Sequence, residues 1–134
     1  MSSSGVTSTL IDGRDIDAWK KAVQPNTKVF FFETPANPTL DVVDLAHVCG
    51  VAQAHGITTV VDNAFATSAL QKPMDFGADV VAYSATKLMD GQGRVLAGAV
   101  VSACCPTIFA GPYYDVEYFH GHAQMSNQLY EDIQ

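Results

Sequence analysis

The chain has 134 residues, 48% hydrophobic and 16% charged, with seven Lys plus Arg against fourteen Asp plus Glu and a net charge of −7. That length fits one modest domain, the composition is that of a core-burying chain rather than a disordered one, and an acidic balance with no basic cluster excludes a nucleic-acid surface. No apolar stretch is long enough to span a bilayer, and Met1-Ser2-Ser3-Ser4-Gly5 lacks the features of a secretory signal, so a cytoplasmic chain without a membrane partner is expected.

Residues 1–6 read as a frayed start and Thr7 to Ile11 as a short strand. Asp15 can cap a helix through Ala18, Trp19 and Ala22 that stops before Pro25. Lys28-Val29-Phe30-Phe31-Phe32-Glu33 is a short apolar run ended by an acid, which favours a buried strand. The prolines at 35 and 38 then force an extended turn. From Asp41 the period becomes helical: Val42, Leu45, Cys49 and Ala52 share a face, Val48 joins them, and Gly56 stands where a C-terminal cap belongs.

Thr58-Thr59-Val60-Val61 is β-branched throughout and leads to Asp62, so it reads as another buried strand. Ala69 to Met74, with Pro73, is expected to be irregular before a turn at Asp75 to Ala78. Asp79 to Ala82 is the next strand, and Ala97 to Val101 a final one. Residues 102–134 differ in kind: they contain no Lys or Arg but hold Phe109, Tyr113, Tyr114, Tyr118, Phe119 and Tyr130, without clear periodicity.

Alternating strands and helices predict an α/β fold with an open, mainly parallel sheet and helices on its faces. Ligands of such sheets bind beyond the carboxyl ends of the strands. That rule gathers Glu33 to Asn37, Asp62 to Thr67 and Ser84 to Arg94 on one rim.

The segment from Tyr83 to Arg94 carries two hydroxyls (Ser84, Thr86), an amine (Lys87) and two glycines where a strand ends. Two hydroxyls beside an amine suit a phosphate and a carbonyl on one small molecule, and pyridoxal phosphate is such a molecule. Asp62, ending a buried strand, would be compensated by a protonated pyridine nitrogen, although capping the next segment is an equal reading of that residue alone. Ser84, Thr86 and Asn37 could also be no more than turn residues. A dinucleotide loop is disfavoured because Leu96 stands where its third glycine belongs, and no phosphate-loop motif precedes Lys87. Cys49, Cys104 and Cys105 form neither a disulfide framework nor a C-x-x-C pair, and with His120 and His122 they match no zinc spacing, so no metal site is expected.

Three linked motifs, Glu33-Thr34-Pro35-Ala36-Asn37-Pro38, Val60-Val61-Asp62-Asn63-Ala64-Phe65 and Tyr83-Ser84-Ala85-Thr86-Lys87, resemble the cysteine and methionine metabolism group of pyridoxal-phosphate enzymes. Asp90-Gly91-Gln92-Gly93-Arg94 is similar to its O-succinylhomoserine sulfhydrylase branch. The resemblance implies residues 1–101 as part of the large domain of the fold type I pyridoxal-phosphate-dependent transferase fold, with residues 102–134 an unaligned aromatic tail. It implies pyridoxal 5'-phosphate as cofactor, held on Lys87 as a Schiff base, with Asp62 on the ring nitrogen and Ser84 and Thr86 on the phosphate. Asn37 would lie near the phenolic oxygen and the substrate carboxylate.

The implied reaction is a trans-sulfuration: an activated homoserine ester loses its γ substituent to sulfide, giving homocysteine, while Lys87 shuttles protons. A small amino-acid substrate and, for the full-length family, a homo-oligomer are implied as partners. Family members are longer and draw on residues that this chain does not match, which implies a truncated, central piece. Two alternatives stand beside this reading: an inactive cofactor-domain remnant whose exposed sheet edges serve association, and a sibling activity such as a cystathionine γ-synthase or γ-lyase.

Overall fold

A computed structural model describes residues 5–103 and the strand backbone at 108–110. Helix α1 (Ile16–Ala22) begins where predicted, the Asp15 carboxylate accepting the backbone N–H groups of Asp17 and Ala18. Its buried residue, Trp19, sets its ring 5.1 Å from Phe30 and 5.2 Å from Phe32, and its indole N–H donates to the Gly13 carbonyl at 2.9 Å. The burial satisfies both the apolar ring and its polar edge.

Strand β1 (Val29–Glu33) alternates strictly: Phe30 and Phe32 are buried, while Phe31 is 68% exposed. Helix α2 (Leu45–Ala54) starts later than its apolar spacing suggests, because Asp44 supplies the cap by accepting the His47 N–H at 3.0 Å. Val42 therefore lies outside the helix and is 65% exposed, a correction to its place on the helical face. Leu45, Val48, Cys49 and Ala52 form the buried face as predicted, and Gly56 adopts φ +64° beyond the end of α2.

Strand β2 (Thr58–Asp62) is followed by a single turn, α3 (Thr67–Leu70), and a tight turn at Pro73–Phe76, both within or beside the stretch expected to be irregular. Strand β3 (Val80–Ser84), a wide turn (Ala85–Met89) and strand β4 (Gly98–Ser102) complete the predicted order, and a further strand, β5 (Ile108–Ala110), falls in the segment that showed no periodicity. Residues 6–12 form no strand: Leu10 is 95% exposed and only Ile11 packs on the core. Among the described residues the β-like pattern at Thr7 to Ile11 has no neighbouring strand to pair with, and strands are stabilised by their neighbours rather than by propensity. Residues 1–4 of the start, and residues 104–107 and 111–134 of the tail, with Cys104, Cys105, His120 and His122, lie outside the described residues.

The sheet runs in the order β1-β2-β3-β4-β5, parallel across the first three strands and antiparallel across the last two pairings. Helix α2 and the α3 segment cross between the parallel strands, whereas the link from β3 to β4 is a turn and loop that doubles back. The core unites Trp19 of α1, the inward face of α2, and Phe30, Phe32, Val61 and Val81 of the sheet. The alternate sheet positions are uncovered or half-covered, with Val29 and Phe31 exposed and Val60, Val80, Ala82 and Val100 intermediate. Helices thus cover one face of the described sheet.

At the amino ends of β2 and β3 a polar latch closes the structure. The Asp79 carboxylate accepts from the Thr59 N–H at 2.7 Å and the Thr59 hydroxyl at 2.8 Å, and the same hydroxyl accepts the Asp79 N–H at 2.9 Å. Burial pushes the Cys49 thiol up, with a hydrogen bond to Thr59 opposing the shift. A thiol held protonated is a packing group and a poor nucleophile.

Candidate functional site

The parallel register sets Glu33 beside Asp62 and Asp62 beside Ala82, so the carboxyl ends of three strands form one rim. An open hollow of about 430 Å³ lies there, lined by Asp62, Tyr83, Ser84, Thr86, Leu96 and Ala97 among others. A second hollow, about 490 Å³, lies between the start of α2 and the α3 segment.

Each sequence-predicted residue has a definite place. Asp62 is half-buried and accepts the Ala64 N–H at 3.0 Å, the turn-capping bond that its position allows. Among the described residues that bond leaves the second carboxylate oxygen open. Ser84 ends β3 on the hollow's wall and makes no side-chain cap bond. Thr86 is committed to the loop: its hydroxyl accepts the Ala97 N–H at 2.9 Å and donates to the Ala97 carbonyl at 3.2 Å.

Lys87 sits in the wide turn, in which the Asp90 N–H reaches the Ala85 carbonyl at 3.1 Å, and its own backbone (φ −91°, ψ −121°) departs from helix. Its side chain is exposed and in no ion pair among the described residues. Asn37 is exposed on the loop after β1, tethered by its backbone N–H to Glu33 Oε2 at 2.9 Å. Asp62, Ser84 and Thr86 therefore share the hollow's wall, while Lys87 and Asn37 stand outside its lining.

The donor set suits pyridoxal phosphate. A carboxylate with a free oxygen can meet a protonated ring nitrogen, an uncommitted hydroxyl can meet a phosphate, and an unpaired primary amine can meet an aldehyde. No group of three or more His, Cys, Asp or Glu that could hold a metal ion occurs among the described residues.

Beneath the rim lies a feature that the chain's local patterns did not reveal. Asn63 is fully buried and its amide group donates to the carbonyls of Thr67 at 3.0 Å and Gln71 at 2.9 Å. The Gln71 amide in turn donates to Asn63 Oδ1 at 2.9 Å and to the Thr34 carbonyl at 2.8 Å. Buried Thr34 takes the Val43 N–H on its hydroxyl at 3.0 Å. The only sequence signal is a polar residue, Asn63, following a run of buried apolar ones; its partner eight positions on could not be read from spacing.

The family described as "Cys/Met metabolism PLP-dependent enzyme" matches residues 1–123, a range that runs past Val101. L-methionine gamma-lyase of Treponema denticola is 48% identical over 103 residues, 75% of this chain and 26% of that protein. O-succinylhomoserine sulfhydrylase of Pseudomonas aeruginosa is 52% identical over 86 residues, 64% of this chain and 21% of that protein. The crystal structure of cystathionine gamma-lyase from Lactobacillus plantarum complexed with L-serine matches with a TM-score of 0.69 at 41% identity, over 70% of this chain and 25% of that one. The chain thus spans about a quarter of the length of these relatives.

Proposed function

The chain belongs to the Cys/Met metabolism PLP-dependent enzyme family, and from that premise we propose that it is the central part of the cofactor-binding domain of an O-succinylhomoserine sulfhydrylase-like enzyme. The observation that carries the reading is the meeting of Asp62 and Ser84 around one hollow at adjoining strand ends, with the unpaired amine of Lys87 in the turn that follows. Pyridoxal phosphate supplies an electron sink for bond cleavage next to the substrate amino group.

The open oxygen of Asp62 accepts from the protonated ring nitrogen and keeps it protonated. Ser84 donates to the phosphate. Thr86 joins it by turning its hydroxyl proton from the Ala97 carbonyl, the longer of its two bonds, to a phosphate oxygen. Lys87 Nζ would hold the cofactor's aldehyde carbon and, when free, would move protons between the substrate's α and β carbons. Asn37 orients the substrate carboxylate. The γ substituent leaves as succinate and sulfide takes its place, so that O-succinylhomoserine and hydrogen sulfide give homocysteine and succinate. The full-length protein would act as a homo-oligomer.

The choice of sulfhydrylase rests on Asp90 to Arg94. Asp90 Oδ2 accepts the N–H groups of Gln92 at 3.2 Å and Arg94 at 2.9 Å, which folds this segment into a braced loop just beyond Lys87. A γ-lyase is the second reading, supported by the 48% identity to L-methionine gamma-lyase over the longer span.

The test is to mix the purified chain with pyridoxal phosphate. A visible absorption band, absent in Lys87→Ala, is expected, together with homocysteine formation from O-succinylhomoserine and sulfide. A band without turnover supports the inactive remnant, and release of a keto acid without sulfide supports the lyase. The absence of any band sinks the cofactor assignments.

A further inference from the structure

We infer that Asn63 and Gln71 are positioning residues, a buried amide pair that fixes the direction of the Asp62 carboxylate and holds the loops after β1 and β2 at a set spacing. The inference rests on the proposed role of Asp62 as the cofactor's partner, and it concerns two side chains that never reach the hollow's wall.

Every hydrogen of the two side-chain amide groups is committed. Asn63 gives its two to the Thr67 and Gln71 carbonyls, and Gln71 gives its two to Asn63 Oδ1 and the Thr34 carbonyl. The Tyr83 hydroxyl, at 3.4 Å from the Asn63 amide nitrogen, is a weaker further contact that reaches β3. The pair therefore joins all three elements that end at the rim.

Its grip on Asp62 is close and two-sided. The Thr34 residue that receives Gln71 on its carbonyl donates its own N–H to the Asp62 carbonyl at 3.3 Å. On the other side the Asn63 N–H donates to the Ala82 carbonyl at 2.9 Å. The peptide unit between Asp62 and Asn63 is thus held from both neighbouring strands, and the Asn63 side chain anchors the turn whose Ala64 N–H grips the Asp62 carboxylate and sets its direction.

The pair also holds a strained residue. Thr67 has φ +58°, a left-handed conformation that a β-branched side chain resists. Asn63 binds both ends of it, accepting the Thr67 N–H on its backbone carbonyl at 2.9 Å and donating from its side chain to the Thr67 carbonyl. Strained backbone persists only where its surroundings over-determine it, and this turn is the one that directs the chain away from Asp62.

The experiment uses the full chain and three variants: Gln71→Met, Gln71→Glu, and Thr59→Val as a control at the opposite end of β2. Gln71 is half-buried, so Gln71→Met is expected to keep its far-UV circular dichroism and cooperative unfolding, which Asn63 variants need not do. It should bind pyridoxal phosphate at least about tenfold more weakly by the visible band, because two acceptors, Asn63 Oδ1 and the Thr34 carbonyl, lose their donor. Amide exchange should quicken at Val43 and Thr67 while the amides beside the Thr59–Asp79 latch stay unchanged.

Gln71→Glu should regain part of the lost affinity as pH falls, because the protonated carboxyl again carries a donor. Thr59→Val should lower stability yet leave cofactor affinity intact. Equal loss of affinity in Gln71→Met and Thr59→Val, or exchange that quickens uniformly, overturns the inference. Rim-confined exchange in a chain that takes up no pyridoxal phosphate supports the amide pair and overturns the cofactor reading, so the two fail separately.

Discussion

Asp79 and Asp62 are the same residue type at opposite ends of the parallel strands, and they have opposite fates. Asp79 has one carboxylate oxygen tied to both the N–H and the hydroxyl of buried Thr59, and its own N–H returns to that hydroxyl. Asp62 accepts one N–H and faces an open hollow. A carboxylate oxygen that joins two donors of one buried residue contributes stability, while a carboxylate with a single bond on a hollow's wall retains capacity for a ligand. The amino end of the parallel strands is a closed joint and the carboxyl end an open hollow above a hydrogen-bonded floor.

That contrast can be broken most forcefully at the joint. Asp79→Ala leaves two donors of buried Thr59 unpaired and should cost about 2 kcal/mol in urea unfolding, with the intact rim still able to take pyridoxal phosphate. Asp62→Ala frees only the Ala64 N–H, which water can reach at the hollow, and should cost about 1 kcal/mol or less in the same measurement while abolishing tight cofactor binding. A loss from Asp62→Ala as large as that from Asp79→Ala would show the two ends to be built alike.

Lys87→Ala sharpens the contrast further. An exposed side chain without an ion pair among the described residues should shift stability by no more than about 0.5 kcal/mol, yet the visible band should vanish entirely. The smallest effect belongs to a third carboxylate, away from both ends. Arg14, hydrogen-bonded to Asp12 at 2.9 Å, holds that carboxyl down at about 2. A lowered folded-state pKa gives stability that is present above the ordinary aspartate range and fades as pH falls towards 2. Because the pair is exposed, Arg14→Gln should lower the Tm-against-pH curve only slightly above pH ~5, where the contribution is fully present, and make the acid limb correspondingly shallower, the two curves converging as pH falls towards 2.

Much of the fold was legible because its signals are local. Asp15 ahead of Ala18, Trp19 and Ala22 encodes a capped helix within a few residues, and Leu45, Val48, Cys49 and Ala52 encode a buried face. What failed was whatever depends on partners distant in sequence. Thr7 to Ile11 has strand-like residues but no strand to join among the described residues, Val42 fits the helical period but precedes the cap, and β5 exists by pairing with β4 rather than by its own pattern.

The site divides in the same way. The rule that ligands lie beyond strand ends drew Asp62, Ser84 and Thr86 together, and the register brings them to one hollow. It could not show that the Thr86 hydroxyl is already engaged by Ala97, nor that Lys87 and Asn37 would stand outside the lining. Asn63 and Gln71 were invisible because a buried amide pair is defined by its partners, and sequence spacing does not specify them.

The uncovered face of the sheet also governs how the molecule behaves among its own kind. Val29 and Phe31 present apolar surface on β1, at 50% and 68% exposure, along a strand that has no neighbour on its outer side among the described residues. At neutral pH the net charge of −7 keeps such surfaces apart by long-range repulsion. Concentrated salt removes that repulsion and strengthens apolar contact, so a solution that is clear in dilute buffer should become turbid as salt is added, with Phe31 as the residue whose replacement by lysine delays the onset.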